Sequence, residues 1–192
     1  LRLKSIREPH PVFDREGQFV FLRQARTGSR AIVASIGERA VVSFESEKLW
    51  RKLRRRFESK RFDPFRFTVV RNPYSRAVSQ WSYLMQRDVV PKVSFEEFTI
   101  EWMPRGRSFN HHLHSQVEIA DGADFVGRFE RINDDWESIR AICGLSRNLH
   151  LQQDHRSSPP GDWRDHYTTG ACKQVGKTYG EDLDAFGYSF VR

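Results

Sequence analysis

Two short runs constrain this chain more than anything else in it: Gln18-Phe19-Val20-Phe21-Leu22 and Phe67-Thr68-Val69-Val70. Neither alternates apolar with polar residues, so each reads as a strand buried on both faces, as in parallel sheets covered by helices. The residues after each run agree. The first run enters a turn, Arg23 to Arg30, that contains Gly28; Ala31 to Ile36 then reads as a helix ended by Gly37. The second enters Arg71-Asn72-Pro73, where Asn72 suits an N-cap and Pro73 the first helical position; Ala77, Trp81 and Leu84 mark the helix beyond.

The rest of the chain repeats the alternation. Ala40 to Phe44 reads as a strand, and Leu49, Trp50, Leu53 and Phe57 predict an amphipathic helix over 46–59. Ser94-Phe95-Glu96-Glu97 has capping-box spacing before a short helix. Asp124 to Phe129 is a strand candidate, and Asp134 to Ile142 a helix closed by Gly144. Residues 1–15 read as an N-terminal arm or an edge, 104–116 as a loop and 152–161 as a surface loop. Between Tyr167 and Phe190 the spacing is helical and broken at Gly180. Strands alternating with helices predict one α/β domain over 1–192 with a mostly parallel sheet.

Composition sets the partners. A chain of 192 residues buries about 70% of its unfolded surface, enough for a real core. Its 32 Lys and Arg against 25 Asp and Glu leave a net charge of +7, which suits polyanions and phosphorylated small molecules. No apolar run is long enough to span a membrane. Leu1-Arg2-Leu3-Lys4-Ser5 carries no apolar core of a secretory signal, so a cytoplasmic setting is expected, while the missing initiator Met leaves an upstream anchor or signal open. Cys143 and Cys172 have no metal spacing and are too few for a disulfide framework, which favours a reducing compartment.

Two segments carry the chemistry. A strand–turn–helix unit aims backbone N–H groups and a helix N-terminus at an anion. Around Gly28, the residues Arg26, Thr27, Ser29 and Arg30 add cations and hydroxyls, although the nucleotide pattern GxxxxGK[ST] is absent. Taken alone, this is equally an exposed basic turn. In the second segment Arg71 stands at a strand end and Ser79 two turns into the next helix, a pair able to hold a second phosphate or, equally, to cap carbonyls and pack.

Together the segments resemble a known family. Val70-Arg71-Asn72-Pro73-Tyr74-Ser75-Arg76-Ala77-Val78-Ser79 resembles the 3′-phosphate motif of sulfotransferases that use 3′-phosphoadenosine 5′-phosphosulfate (PAPS). Phe19 to Ile32 is similar to their 5′-phosphosulfate loop, with Ala25, Arg26 and Arg30 where Pro, Lys and Thr are usual. Asp124-Phe125-Val126-Gly127-Arg128-Phe129-Glu130 and Tyr179 to Tyr188 resemble the carbohydrate-sulfotransferase-like branch. Gly161-Asp162-Trp163-Arg164 is similar to a Gly-Asp-Trp-Lys stretch of the cytosolic branch, and Arg156 matches one residue of the phosphate-gripping triplet upstream of it.

The resemblance implies a P-loop-like three-layer fold, a mostly parallel central sheet flanked by helices, and PAPS as co-substrate without a metal. Arg26, Thr27, Gly28, Ser29 and Arg30 would hold the 5′ end, and Arg71, Ser79 and Arg156 the 3′-phosphate. Arg26 stands where the family's Lys donates to the leaving oxygen; an Arg there acts by charge and hydrogen bonding alone. The acceptor is a hydroxyl of a glycan or small molecule, and the chain's charge admits an anionic one. His112-x-x-x-Gln116 looks like the His-(Trp)-Arg-Pro-Gln segment of the carbohydrate branch, so His112 is the expected general base, with His114 and then His111 in reserve.

Two other classes compete with that reading. The basic run Lys48, Arg51, Lys52, Arg54, Arg55, Arg56, Lys60 and Arg61 is either a solvated helix face or the core of a non-enzymatic polyanion-binding module. Nucleic acid is disfavoured there, because Trp50 and Phe57 share the apolar face rather than interleaving with the cations. A phosphoryl-transfer enzyme of similar architecture would need the Lys-Ser/Thr pair that this turn lacks.

Overall fold

The computed structural model describes residues 10–42, 47–59, 63–106, 110–151, 159 and 161–191. They fall into two compact units, each discontinuous in sequence: Pro9–Val70 with Ile119–Asp154, and Arg71–Glu118 with His155–Arg192.

The first unit is built on a five-stranded sheet. Its strands are β1 (Val12–Asp14), β2 (Phe19–Phe21), β3 (Ala40–Val41), β4 (Phe65–Val70) and β5 (Phe125–Arg128), in the order β3-β1-β2-β4-β5. The β2–β4 and β4–β5 pairs are parallel, with Phe21 opposite Phe67 and Val69 opposite Gly127. β1 is antiparallel to both β2 and β3, so β1 alone runs against the other four. Val12–Asp14 thus lies inside the sheet, although it falls in the stretch read as an arm or an edge. Its three residues are fully buried, and three residues between a proline and a turn are too few to show a period.

Helices cover both faces of this sheet. The side chains of Phe19, Phe21, Phe67 and Val69 join Ile32 and Ile36 of α1 (Ser29–Ile36) with Trp136 and Ile139 of the helix Ile132–Ile142. The Phe21 and Phe67 rings stack with centroids 4.9 Å apart. On the other face Phe13, Val20 and Val41 meet Trp50 and Leu53 of α2 (Glu47–Glu58). Here the period-2 rule divides neighbours, Phe13 from Val12 and Val20 from Phe19 and Phe21, into two cores. This is a three-layer α/β arrangement around a mostly parallel sheet, as expected.

The second unit is helical. Its longest element is α3 (Pro73–Gln86). A segment comes next that starts as α4 (Phe95–Glu97), widens to a π turn over Phe98–Trp102 and closes as α5 (Met103–Gly106). After it come a 3₁₀ turn at His111–Leu113 and α6 (Gln116–Ala120). In chain order α7 is then the Ile132–Ile142 helix of the first unit. The second unit resumes with a 3₁₀ turn over Trp163–His166, α8 (Thr169–Thr178) and α9 (Gly180–Phe186). Tyr74, Ala77, Leu84, Phe98, Met103, Leu113, Ala171, Val175 and Tyr179 share its core.

Several local signals act as their chemistry demands. The Asn72 side chain accepts from Tyr74 N–H at 2.9 Å with Pro73 at N1, and Ser94 Oγ accepts from Glu97 N–H at 3.1 Å. The tail breaks between α8 and α9, beside Gly180. The described residues of 104–116 (104–106 and 110–116) are not the loop expected from Pro, Gly and His content: α5, the 3₁₀ turn and the start of α6 lie there. Buried polar partners, among them Arg76, Gln80 and Asp182, stabilise that segment where apolar periodicity does not.

Candidate functional site

The turn after β2 belongs to the first unit. Leu22 N–H extends the β2–β4 pairing by donating to Phe67 C=O at 2.8 Å. Thr68 Oγ1 donates to Leu22 C=O at 2.7 Å, and Gln24 Nε2 donates to Thr68 Oγ1 at 3.1 Å. Thr27 Oγ1 then donates to Gln24 C=O at 3.2 Å. Gln24, Thr27 and Thr68 are fully buried, so this chain of hydrogen bonds ties the turn to the strand beneath it.

Backbone conformation narrows the turn further. Arg26 has φ of 70° and Gly28 φ of 78°, two left-handed positions on either side of Thr27. Turns of this kind gather N–H groups into anion-binding concavities. Gly28 is also sterically held: a Cβ there would meet the Phe129 ring at 3.2 Å. α1 starts immediately after, with Ile32 N–H donating to Gly28 C=O at 3.2 Å, no capping side chain and no acidic residue in its first turn. Its N-terminal amides and dipole are thus uncompensated by any carboxylate of their own helix. Ser29 is buried, Arg26 half-buried and Arg30 exposed.

The second unit carries Arg71, Ser79 and the histidines. Arg71 comes directly after β4, is half-buried, and donates from Nε to Ser75 Oγ at 2.9 Å. Ser75 Oγ in turn donates to Asn72 C=O at 3.2 Å, so the first turn of α3 orients the guanidinium. Ser79 is buried one turn further on. The Arg71 backbone is gripped from the other side by Gln116, whose Oε1 accepts from Arg71 N–H at 2.8 Å and whose Nε2 donates to Arg71 C=O at 2.9 Å.

The histidine segment rests on a fully buried polar layer. Arg76 donates to His114 C=O at 2.9 Å and to His112 C=O at 3.5 Å, and Gln80 Nε2 donates to the same His112 carbonyl. Tyr179 Oη shares its one proton between Leu113 C=O at 3.1 Å and Gln80 Oε1 at 3.3 Å. Burial lowers the Arg76 pKa from its ordinary value, opposed by Tyr179 and Asp182 nearby. The His112 ring packs against His111, with centroids 4.2 Å apart, and against Tyr83 at 4.8 Å; His114 is only half-buried. Asn110 Oδ1 accepts from His112 N–H at 3.0 Å and fixes the entry to the turn.

Each unit therefore collects its own set. The first holds Arg26, Thr27 and Gly28 in one turn with Ser29 and Arg30 at the start of α1; the second holds Arg71, Ser79, His112 and His114 around α3. Arg156 lies outside the described residues. The cations of α2 face solvent, and Arg51 and Arg54 bond Glu47 and Glu58 of the same helix at 2.6 Å each, as a solvated face does. Cys143 and Cys172 are free thiols. Sequence reading missed Gln24, Thr68, Ser75, Arg76, Gln80 and Asp182. The available signal was polarity inside apolar spacing: Thr68 in a strand, Arg76 and Gln80 at i, i+4 on the buried side of a helix.

Three comparisons with known proteins place the chain among relatives. A crystal structure of a sulfotransferase from Alicyclobacillus acidocaldarius matches with a TM-score of 0.40 and 15% identity; the match covers 71% of this chain but 60% of that one. An uncharacterized protein of Archaeoglobus fulgidus is 26% identical over 102 residues, 52% of this chain and 85% of the relative. The sequence profile of the sulfotransferase family matches residues 19–189, from the start of β2 through the turn, the Arg71 motif and the histidine segment to the tail. The chain belongs to the sulfotransferase family.

Proposed function

We propose that the protein transfers the sulfuryl group of PAPS to a hydroxyl of a glycan or small molecule. The observation that carries this reading is the turn 23–28 with the start of α1: two left-handed residues around a buried Thr27, then a helix N-terminus with neither capping side chain nor acid. That donor set fits a phosphosulfate, since it combines backbone N–H groups, the Ser29 hydroxyl and three arginines, Arg23, Arg26 and Arg30, and none of residues 23–30 is acidic. Thr27, Gly28, Ser29 and Arg30 would hold the 5′-phosphosulfate, and Arg71, Ser79 and Arg156 the 3′-phosphate. Bound there, PAPS supplies the sulfuryl group and a phosphate leaving group.

The chain's own residues supply the rest. Arg26 stabilises negative charge on the leaving oxygen by charge and hydrogen bonding, since a guanidinium does not give up its proton near neutrality. His112 takes the acceptor's proton, and its backbone is held by Asn110, Arg76 and Gln80 so that the ring keeps its place. A metal is not needed for these roles. His112→Ala should lower kcat by about 10²–10⁴ and remove the acidic limb of the pH profile, while His114→Ala retains it. Wild-type turnover and pH dependence in His112→Ala would end that assignment.

The reading as a whole is tested by calorimetry with 3′-phosphoadenosine 5′-phosphate (PAP), the expected product, against 5′-AMP. The expected result is PAP binding that depends on the 3′-phosphate and is lost in Arg71→Ala. Equal binding of PAP and AMP, or binding abolished only by charge reversal at Arg54–Arg56, would favour the polyanion-binding module. Turnover of a nucleoside triphosphate that requires Mg²⁺ would favour phosphoryl transfer.

A further inference from the structure

We infer that Asp182, on α9, is a positioning residue for the nucleotide's 3′-phosphate, acting on Arg71 through Gln116; the inference rests on the reading of Arg71 as a 3′-phosphate ligand. Asp182 is fully buried and far from Arg71 in sequence, yet one carboxylate organises the whole start of α6. Its Oδ1 accepts from the backbone N–H of Gln116 at 2.7 Å and of Val117 at 3.1 Å, and from the Ser115 hydroxyl. Its Oδ2 accepts from Gln116 Nε2 at 3.4 Å and lies 3.9 Å from Arg76 Nη1. A carboxylate that satisfies the leading amides of a helix acts as a cap supplied from elsewhere in the chain.

The consequence runs through the Gln116 carboxamide. That amide has a donor and an acceptor, and both engage the Arg71 backbone, as a neighbouring strand would. The bond from Nε2 to Asp182 also fixes which way round the amide sits: nitrogen toward Asp182 and Arg71 C=O, oxygen toward Arg71 N–H. Arg71 is the first residue past β4, and its guanidinium is already aimed by Ser75. The backbone grip removes the remaining freedom, the rotation of the residue that bears the side chain. Every group in the relay, Asp182, Gln116, Ser115 and Arg76, is 0–1% exposed, so no water substitutes for a lost partner.

Asp182→Asn puts an NH₂ where Gln116 Nε2 or a backbone N–H must donate. In this variant PAP should bind about tenfold or more weakly, with 5′-AMP affinity unchanged, because only the 3′-phosphate contact is misplaced. Amide hydrogen exchange at Gln116, Val117 and Arg71 should accelerate together. Gln116→Leu, which leaves the carboxylate in place, should reproduce the PAP loss and the faster exchange at Arg71, and the double variant should bind PAP no worse than the weaker single one. If Asp182→Asn does not fold, Gln116→Leu decides by the same readings. PAP affinity equal to wild type in the folded variants, or exchange at Arg71 unchanged, overturns the inference; so does an equal loss of PAP and AMP. An Arg71→Ala protein that binds PAP normally would overturn the role given to Arg71, whereas the relay itself is read by the exchange at Arg71.

Discussion

Arg26 and Gly28 share a left-handed backbone and differ in what that conformation costs. For a residue with a Cβ it is unfavourable by roughly 1 kcal/mol, and such residues persist where the surroundings or a ligand hold them. Arg26 lies at φ 70°, so Arg26→Gly should relieve the strain and raise the melting temperature by about 2–4 °C while removing turnover. A melting temperature that falls instead would show that the guanidinium stabilises the turn more than its backbone strains it. Gly28 is the reverse case. Its φ of 78° and the Phe129 ring 3.2 Å from a would-be Cβ oppose Gly28→Ala on two counts, so about 1–3 kcal/mol of stability should be lost. Adding Phe129→Leu should return the steric part but not the backbone part, which a double-mutant melting series measures. The sequence made Gly28 legible, because a glycine after a buried strand marks a turn. Arg26 was legible only as a charge, since no residue type announces its own φ.

At the scale of elements, the helix starts were the readable part and the polar layer was not. Asn72, Pro73 and Ser94 declare themselves because a cap is a local bargain between one side chain and amides two or three residues on. Asn72 has a second task that no local rule contains: its Nδ2 donates to Ser189 C=O at 3.1 Å, which pins the last segment of the chain to the start of α3. Phe190 next to it packs against Tyr74 and Tyr167, each at 5.0 Å between centroids, and against Trp163 at 5.6 Å. Phe190→Ala should therefore cost about 2–4 kcal/mol in thermal unfolding and raise exchange of the first amides of α3. Protection at Tyr74 N–H left at its wild-type level would separate the aromatic cluster from the cap. The described part of 104–116 departs from the expected loop for the same reason. Residues 112–117 are held by Arg76, Gln80, Tyr179 and Asp182, which lie dozens of residues away, and spacing rules see only neighbours.

At the scale of the molecule, the two apolar runs were enough to foretell a helix-covered, mostly parallel sheet, but not its division into two units whose sequences interleave. That division depends on which helices share a core, and helices of either unit show the same amphipathic spacing. The sheet-covering core also sets a global property. Cys143, at the end of α7, is 1% exposed, and burial beside Asp14 pushes its thiol from 9.0 to about 12, with Arg39 opposing. In the unfolded chain the thiol ionises near its ordinary value, whereas in the folded chain it stays protonated. The folded state therefore binds the extra proton between those values. The contribution of this thiol to stability is constant below about pH 9 and falls by roughly 1.4 kcal/mol per pH unit as the pH climbs toward 12. Cys143→Ala removes this dependence while leaving a small cavity, so it should melt below wild type at pH 8. The gap between the two should then narrow steadily from pH 9 to pH 11. The buried Tyr167 hydroxyl, also pushed up by desolvation, contributes to both proteins and cancels in the difference. A gap that stays constant across that range would mean that the thiol ionises in the folded protein as readily as in the unfolded one.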